Sequence, residues 1–179
     1  MKRITLSAKD RALLYRALML AAAVWVLGLL QTSFLPHFSF FGTVPDLVLA
    51  LVVVTARETD EKFGGTVGLI GGILIFMLGD VGVALWILFY AAIGFLAGAF
   101  AKLVLGKNYP SYLVFAATAC LLKLIYSFLL CLLLSADAQP FRALWQSFLP
   151  EAIITFVCAA LLYVPLGAFV RRTRRKEAV

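Results

Sequence analysis

Charged side chains are scarce in this chain. Asp, Glu, Lys and Arg make up 14% of its 179 residues, against about 25% in soluble domains. Hydrophobic residues make up 64%, and the mean hydropathy is +1.02. So few charges do not supply the polar surface of a water-soluble domain. The composition therefore predicts an integral membrane protein, and the length suits a single membrane domain covering residues 1–179.

Residues that commonly carry chemistry are also few. His37 is the only histidine, which excludes a histidine-based metal cluster or a Ser-His-Asp triad. Cys120, Cys131 and Cys158 lie in apolar runs without metal-ligand spacing, as expected of small buried hydrophobic residues. No Walker-type phosphate loop occurs. We therefore expect no catalytic residues, no metal site and no cofactor, and we expect that the protein is not an enzyme.

The apolar runs predict an all-α bundle of six transmembrane helices. The predicted spans lie at about 12–35, 45–57, 63–79, 83–105, 111–134 and 148–170. The second span is short: even counted from Pro45 it rises only about 18 Å, whereas the hydrocarbon layer is about 30 Å thick. Either this helix is enclosed by the others, or the loop before it dips below the outer surface.

The distribution of basic residues predicts the orientation. With six crossings, fourteen of the sixteen Lys and Arg residues fall on one side, which the positive-inside rule assigns to the cytoplasm together with both termini. The fourteen are Lys2, Arg3, Lys9, Arg11, Arg16, Arg57, Lys62, Lys102, Lys107, Arg171, Arg172, Arg174, Arg175 and Lys176. The exceptions are Lys123, inside the fifth span, and Arg142, in an outer loop. The formal charge of +7 therefore indicates contact with anionic lipid headgroups and no nucleic-acid partner.

Small residues recur every four positions in two spans. Gly64, Gly68 and Gly72 share one face of the third span, and Gly94 and Gly98 have the same spacing in the fourth. Missing side chains let helices approach closely in lipid. The pattern fits internal packing between neighbouring spans, or a docking seam for a second membrane protein. Spacing leaves both interpretations open.

Lys123 stands about halfway along the fifth span, where an intramembrane charge is usually paired or functional. The carboxylates available to it are Asp46, Asp80 and Glu151, all near outer helix ends. Asp46 is the preferred partner, because its short helix allows it to sit deeper in the membrane. The alternative is that the long Lys123 stem carries its ammonium to an interface. Asp46 follows Pro45, so it is also expected to cap its helix.

Three stretches of the chain carry a resemblance to a known family. The first joins residues 30–36 (LQTSFLP) to residues 44–49 (VPDLVL). The second is the glycine-rich stretch 64–82, and the third is residues 91–98 (AAIGFLAG). Together they resemble the family of the bacterial rod shape-determining protein MreD, and the first stretch is like the family's Gln-containing helix exit and its Pro-Asp-Leu entry. One departure is that Ile75 and Phe76 stand where members often carry an acidic residue. The last two spans match only in hydropathy.

The resemblance implies a non-enzymatic scaffold of the cell-wall elongation complex in the bacterial cytoplasmic membrane. Such a scaffold would support rod shape and regulated peptidoglycan synthesis by binding the transmembrane and external regions of MreC. The actin-like MreB, a peptidoglycan synthase pair and membrane lipids would be its other partners. The residues expected at the partner contact are Pro45, Asp46, Gly64, Gly68, Gly72, Gly79, Asp80 and Gly82.

The same family is similar in fold to the substrate-binding components of energy-coupling-factor vitamin importers. A small-molecule importer component is therefore the alternative function. It would need polar groups converging in an apolar cavity. The groups available on the outer side are Lys123, Asp46, Glu151, Gln31, Tyr126 and Trp145.

Overall fold

In the computed structural model, residues 8–38, 42–78, 84–103, 108–134 and 139–175 are described, and all their regular elements are helical. The helices are α1 (Ala8–Leu29), α2 (Leu47–Glu58), α3 (Glu61–Leu78), α4 (Leu85–Leu103), α5 (Tyr109–Leu134), α6 (Pro140–Ala143) and α7 (Leu149–Arg175). Five helical stretches of the described chain are long and apolar enough to cross a membrane: Leu13–His37, Glu61–Leu78, Leu85–Lys102, Tyr109–Leu134 and Pro140–Thr173. The protein is thus a multi-pass helical membrane protein by the length and composition of these stretches.

Helix α2 differs from the other long helices, because all twelve of its residues are buried. Its sequence is apolar on every side, as expected of a helix that is surrounded by protein. Asp46 caps its first turn, with Oδ1 accepting a 2.9 Å hydrogen bond from Leu49 N–H. Its twelve residues rise about 18 Å, and because all of them are buried, α2 is enclosed by the longer helices. Its status as a sixth crossing remains a prediction.

Long helices that follow one another in the chain alternate in direction. Arg16 of α1 lies over Phe63 at the start of α3, and Gly28 lies near Leu74 towards its end, so α1 and α3 run the same way. Helix α2 runs the opposite way, from an end of the bundle that contains Asp46 to an end that contains Arg57. We refer to these as the Asp46 end and the Arg57 end.

Close packing of α3 on α4 depends on glycine. A methyl group at Gly64 or Gly68 would overlap the carbonyl oxygen of Gly94 or Tyr90, respectively. At Gly72 it would lie 2.7 Å from the Ile87 Cα. The glycine face of α3 is therefore filled by α4 of the same chain, which is the arrangement that close helix approach in lipid favours.

Two π-helical turns interrupt the helices, and each lies just before a proline. Residues Leu30–Phe34 form the first, after which Leu35–Phe38 make a 3₁₀ turn that contains Pro36. Residues Leu144–Phe148 form the second, two residues before Pro150. Proline has no N–H for the regular i to i−4 ladder, and a wide turn is one way for a helix to accommodate it.

The helices extend beyond the predicted spans in two places. Residues 135–145 were expected to be a loop, but Pro140–Ala143 is helical and continues through the second π turn into α7. Pro140 occupies the first helical turn, where its missing N–H costs nothing. Helix α7 reaches Arg175 instead of ending near residue 170. Residues 79–83, 104–107 and 135–138 lie outside the described parts of the chain.

Candidate functional site at the Asp46 end of the bundle

Lys123 joins three helices at the Asp46 end. Its Nζ lies 2.5 Å from Asp46 Oδ2, at the start of α2, and 2.6 Å from Glu151 Oε1, in the first turn of α7. The Asp46 side chain is fully buried, 11% of the Lys123 side chain is exposed, and 27% of the Glu151 side chain is exposed. Charge-assisted bonds in such a shielded setting are strong, and the loss of one partner is costly.

Asp46 is satisfied on every side by groups of this chain. Its Oδ2 also accepts a hydrogen bond from the Tyr90 hydroxyl of α4, and its backbone N–H donates to Thr155 Oγ1 of α7 at 2.9 Å. Gln31, in the first π turn, accepts a 3.2 Å bond from Val48 N–H. The N-terminus of α2 is thereby fixed to α1, α4, α5 and α7.

A cavity of about 640 Å³ opens beside this cluster. We call it the cup. It is lined by Gln31, Thr32, Gly42, Thr43, Val44, Ile75, Trp86, Tyr90, Lys123, Ser127, Leu130, Cys131, Leu134, Ser147, Phe148 and Glu151. Its walls come from the turn that follows α1, the loop before α2, the helices α3, α4 and α5, and the entry to α7. Its volume is in the range of about 300–1,000 Å³ that small-molecule sites occupy.

An aromatic cluster supports one wall of the cup. The rings of Trp86 and Tyr126 meet edge to face with centroids 5.3 Å apart, and Phe89 stacks on Tyr126 at 4.6 Å. Lys123 Nζ lies 5.8 Å from the Trp86 ring centroid, within the range of a cation–π contact. The indole N–H of Trp86 is buried and has no hydrogen-bond partner among the described residues.

At the opposite end of the bundle, a second polar cluster fixes the C-terminus of α2. Arg57 Nη1 donates to the Tyr163 hydroxyl at 3.0 Å, and Nη2 donates to the Asn108 carbonyl at 2.6 Å. Arg171 pairs with Glu58 at 3.2 Å. Arg57 and Glu58 are both buried. A charged side chain is seldom buried without partners, and these contacts supply them. These contacts lock α2 to α7 and to the start of α5.

Several residues expected at a partner contact are covered. Pro45 and Asp46 are buried at the start of α2. Gly64, Gly68 and Gly72 are buried under α4, so the docking-seam interpretation does not describe their arrangement in this structure. A partner would have to displace α4 to reach these three positions. Gly79, Asp80 and Gly82 lie outside the described residues.

The residues proposed from sequence for a ligand cavity are only partly brought together. Gln31, Lys123 and Glu151 line the cup, and Asp46 lies directly behind Lys123. The side chain of Trp145 is 70% exposed and does not line the cup. Tyr126, which was also proposed from sequence, does not line the cup but supports its wall and donates to the Leu85 carbonyl at 2.8 Å.

Other residues of the site were missed by the sequence analysis. Tyr90, Trp86 and Thr155 were not singled out, because one aromatic or hydroxyl residue in an apolar span has no distinguishing pattern.

No family model, curated protein or solved structure matched the chain when it was compared with known proteins. The resemblance to the MreD family therefore stays a prediction. Within the described residues, no group of three His, Cys, Asp or Glu side chains is placed to hold a metal ion. The site is built from ion pairs, hydroxyls and aromatic rings.

Proposed function

We propose that the protein is a non-enzymatic scaffold of the bacterial cell-wall elongation complex, an MreD-like subunit that binds MreC in the cytoplasmic membrane. The observation that carries the proposal is that Lys123 bonds to both Asp46 and Glu151 and so ties α2, α5 and α7 together. Polar groups engaged in this way make a rigid body. They do not form a chain of donors leading across the membrane.

Six crossings with both termini in the cytoplasm are part of this proposal. Helix α2 extends from the Asp46 end to the Arg57 end, antiparallel to α1 and α3. Four basic residues lie towards the Arg57 end. Arg16 lies over the Phe63 ring, and Arg57 donates to Tyr163. Lys102 pairs with Glu61, and Arg171 pairs with Glu58. The positive-inside rule then assigns the Arg57 end to the cytoplasm and the cup to the outer side.

The surface for a partner helix lies outside the covered glycine face. The long helices carry strongly exposed apolar side chains on their outer faces, and packing and small polar contacts drive helix association in lipid. MreB and the peptidoglycan synthase pair would join the complex through the cytoplasmic face and through MreC, respectively.

Site-specific photo-crosslinking in the native cell tests the scaffold. A crosslinking amino acid would replace one strongly exposed residue on each long helix: Trp25, Met77, Leu88, Leu129 or Leu161. We expect crosslinks to the transmembrane helix of MreC from one or two adjacent helices. The fully buried Leu20 is the matched negative control. Absence of an MreC crosslink at all five positions would contradict the scaffold.

The cup favours a second candidate, a substrate-binding component of a small-molecule importer. A cavity of about 640 Å³ with Glu151, Lys123 and the Trp86 indole on its walls has the size and the few convergent polar groups that a ligand site needs. Native mass spectrometry of the purified chain tests this candidate, which predicts a stoichiometric small molecule that is released on unfolding.

A further inference from the structure

The shortness of α2 creates the cup. Its rise of about 18 Å is about 12 Å less than the thickness of the hydrocarbon layer. The surrounding helices continue past its first residue: α5 extends to Leu134, and helical structure before α7 begins at Pro140. A central helix of full length would fill this space. The cavity therefore follows from the architecture of the bundle.

Both π turns contribute side chains to the cup. Gln31 and Thr32 belong to the first, and Ser147 and Phe148 belong to the second. A π turn shifts the register of a helix face, and such turns are frequent at functional sites. The two π turns, each of which lies just before a proline, are far apart in the sequence but line the same cavity.

The charges in and behind the cup do not balance. Lys123 is the only cation among its described lining residues, and it is bonded to two carboxylates, so the formal charge of the cluster is −1. Asp46 is fully buried and already accepts bonds from Leu49, Tyr90 and Lys123. The excess charge therefore faces the cavity at Glu151. An anion entering the cup would meet net negative charge in a shielded setting, which is unfavourable.

We propose that the cup binds a small organic cation, a protonated amine joined to an apolar or aromatic body. The ammonium contacts Glu151, and the body packs on the apolar wall formed by Trp86, Leu130 and Phe148. Aromatic faces add attraction for a nearby cation. The proposal names the ligand class for the importer candidate and rests on that candidate, whereas the scaffold proposal does not depend on it.

Three probes of similar shape and different charge test the ligand class. They are 2-phenylethylamine, 2-phenylethanol and 3-phenylpropionate, which carry a positive, a neutral and a negative group at neutral pH. Their binding to the purified full chain is measured by isothermal titration calorimetry. We expect the amine to bind at least about tenfold more tightly than the alcohol, a difference that one shielded ion pair supplies, and the carboxylate not to bind. Equal binding of the three probes, or no binding of the amine, overturns the proposal.

Two substitutions of opposite sign locate the site. Glu151→Gln should weaken amine binding about tenfold, and Ser147→Asp, which adds a carboxylate to the cup wall, should strengthen it. Glu61→Gln is the matched control, because it breaks a Lys–Glu pair with Lys102 at the other end of the bundle. Ser147 is exposed and is not one of the three residues of the Lys123–Asp46–Glu151 cluster, so Ser147→Asp keeps the test decisive if Glu151→Gln fails to fold. Unchanged amine affinity in Ser147→Asp overturns the proposal. The MreC crosslinks are scored separately, so failure of one proposal leaves the other standing.

Discussion

The Cα of Gly68 lies so close to the carbonyl of Tyr90 that a single methyl group would overlap with it. The contact joins α3 to α4 by their backbones, which cannot move aside as a flexible side chain does. Tyr90 in turn donates to Asp46, so this close approach positions one of the hydrogen bonds of the site.

Gly68→Ala should therefore destabilise the protein, by about 1–3 kcal/mol, because the added methyl forces α3 and α4 apart. Gly65→Ala is the control three residues away, since a methyl there has its nearest contact, with Phe95, at 3.5 Å. The control should leave stability unchanged or raise it by up to about 1 kcal/mol. Thermal unfolding of both variants in the same detergent measures the difference. Equal melting temperatures would contradict the packing described for α3 and α4.

Lys123→Met should cost about 3–5 kcal/mol, because it leaves Asp46 buried without its cation. Lys102→Met is the matched control: Lys102 also pairs with a glutamate, but its side chain is 52% exposed, and exposed pairs contribute little. Denaturant unfolding monitored by tryptophan fluorescence compares the two. If Lys123→Met were as mild as the control, the ammonium would have to lie at an interface, away from Asp46.

Tyr163→Phe should destabilise the Arg57 end by about 1.5–3 kcal/mol, since it removes the hydroxyl that accepts a bond from the buried Arg57 guanidinium. Tyr109→Phe is the comparison, because the Tyr109 hydroxyl makes an exposed 3.2 Å bond to the Ala160 carbonyl. Its loss should cost less, about 0.5–1.5 kcal/mol at most. Hydrogen exchange of α2 amides should increase in the first variant and stay unchanged in the second.

Water should reach the cup from outside the cell. In a chain with Cys120, Cys131 and Cys158 replaced by alanine, Ser127→Cys should react with a membrane-impermeant cationic thiol reagent added to intact cells, because Ser127 lines the cup. Leu129→Cys, two residues along on the lipid-facing side, should react far more slowly, since thiolate formation requires water. Labelling of Ser127→Cys only in inverted vesicles would reverse the proposed orientation.

The sequence was most informative where a residue type was unusual for the segment around it. A lysine in an apolar span and an aspartate at the start of a short helix are both conspicuous, and the structure places them 2.5 Å apart. The burial of α2 was one of two alternatives that its length left open. Recurrence of glycine every four residues indicated close helix contact, but not whether the second helix belonged to this chain or to a partner.

The features that the sequence did not reveal depend on how far each helix extends along the bundle and on contacts between residues that are distant in sequence. The cup forms because α2 starts below the ends of its neighbours, and hydropathy does not determine how far each helix projects. The Arg57–Tyr163 bond links residues 106 positions apart, and nothing local to either residue indicates the other. The helical residues 140–147 were missed because their mixture of polar and aromatic side chains resembles a loop.

The complete burial of α2 also constrains how the protein is made. The groups that bond to its two ends lie far downstream: Asp46 N–H bonds to Thr155, 109 positions later, and Arg57 bonds to Tyr163. A segment of twelve residues carries little driving force for insertion on its own, so we expect it to enter the bilayer stably only after α5 and α7 have been synthesised. A chain truncated at residue 139 should therefore leave a cysteine placed at Val53 open to alkylation, whereas the full chain should protect it.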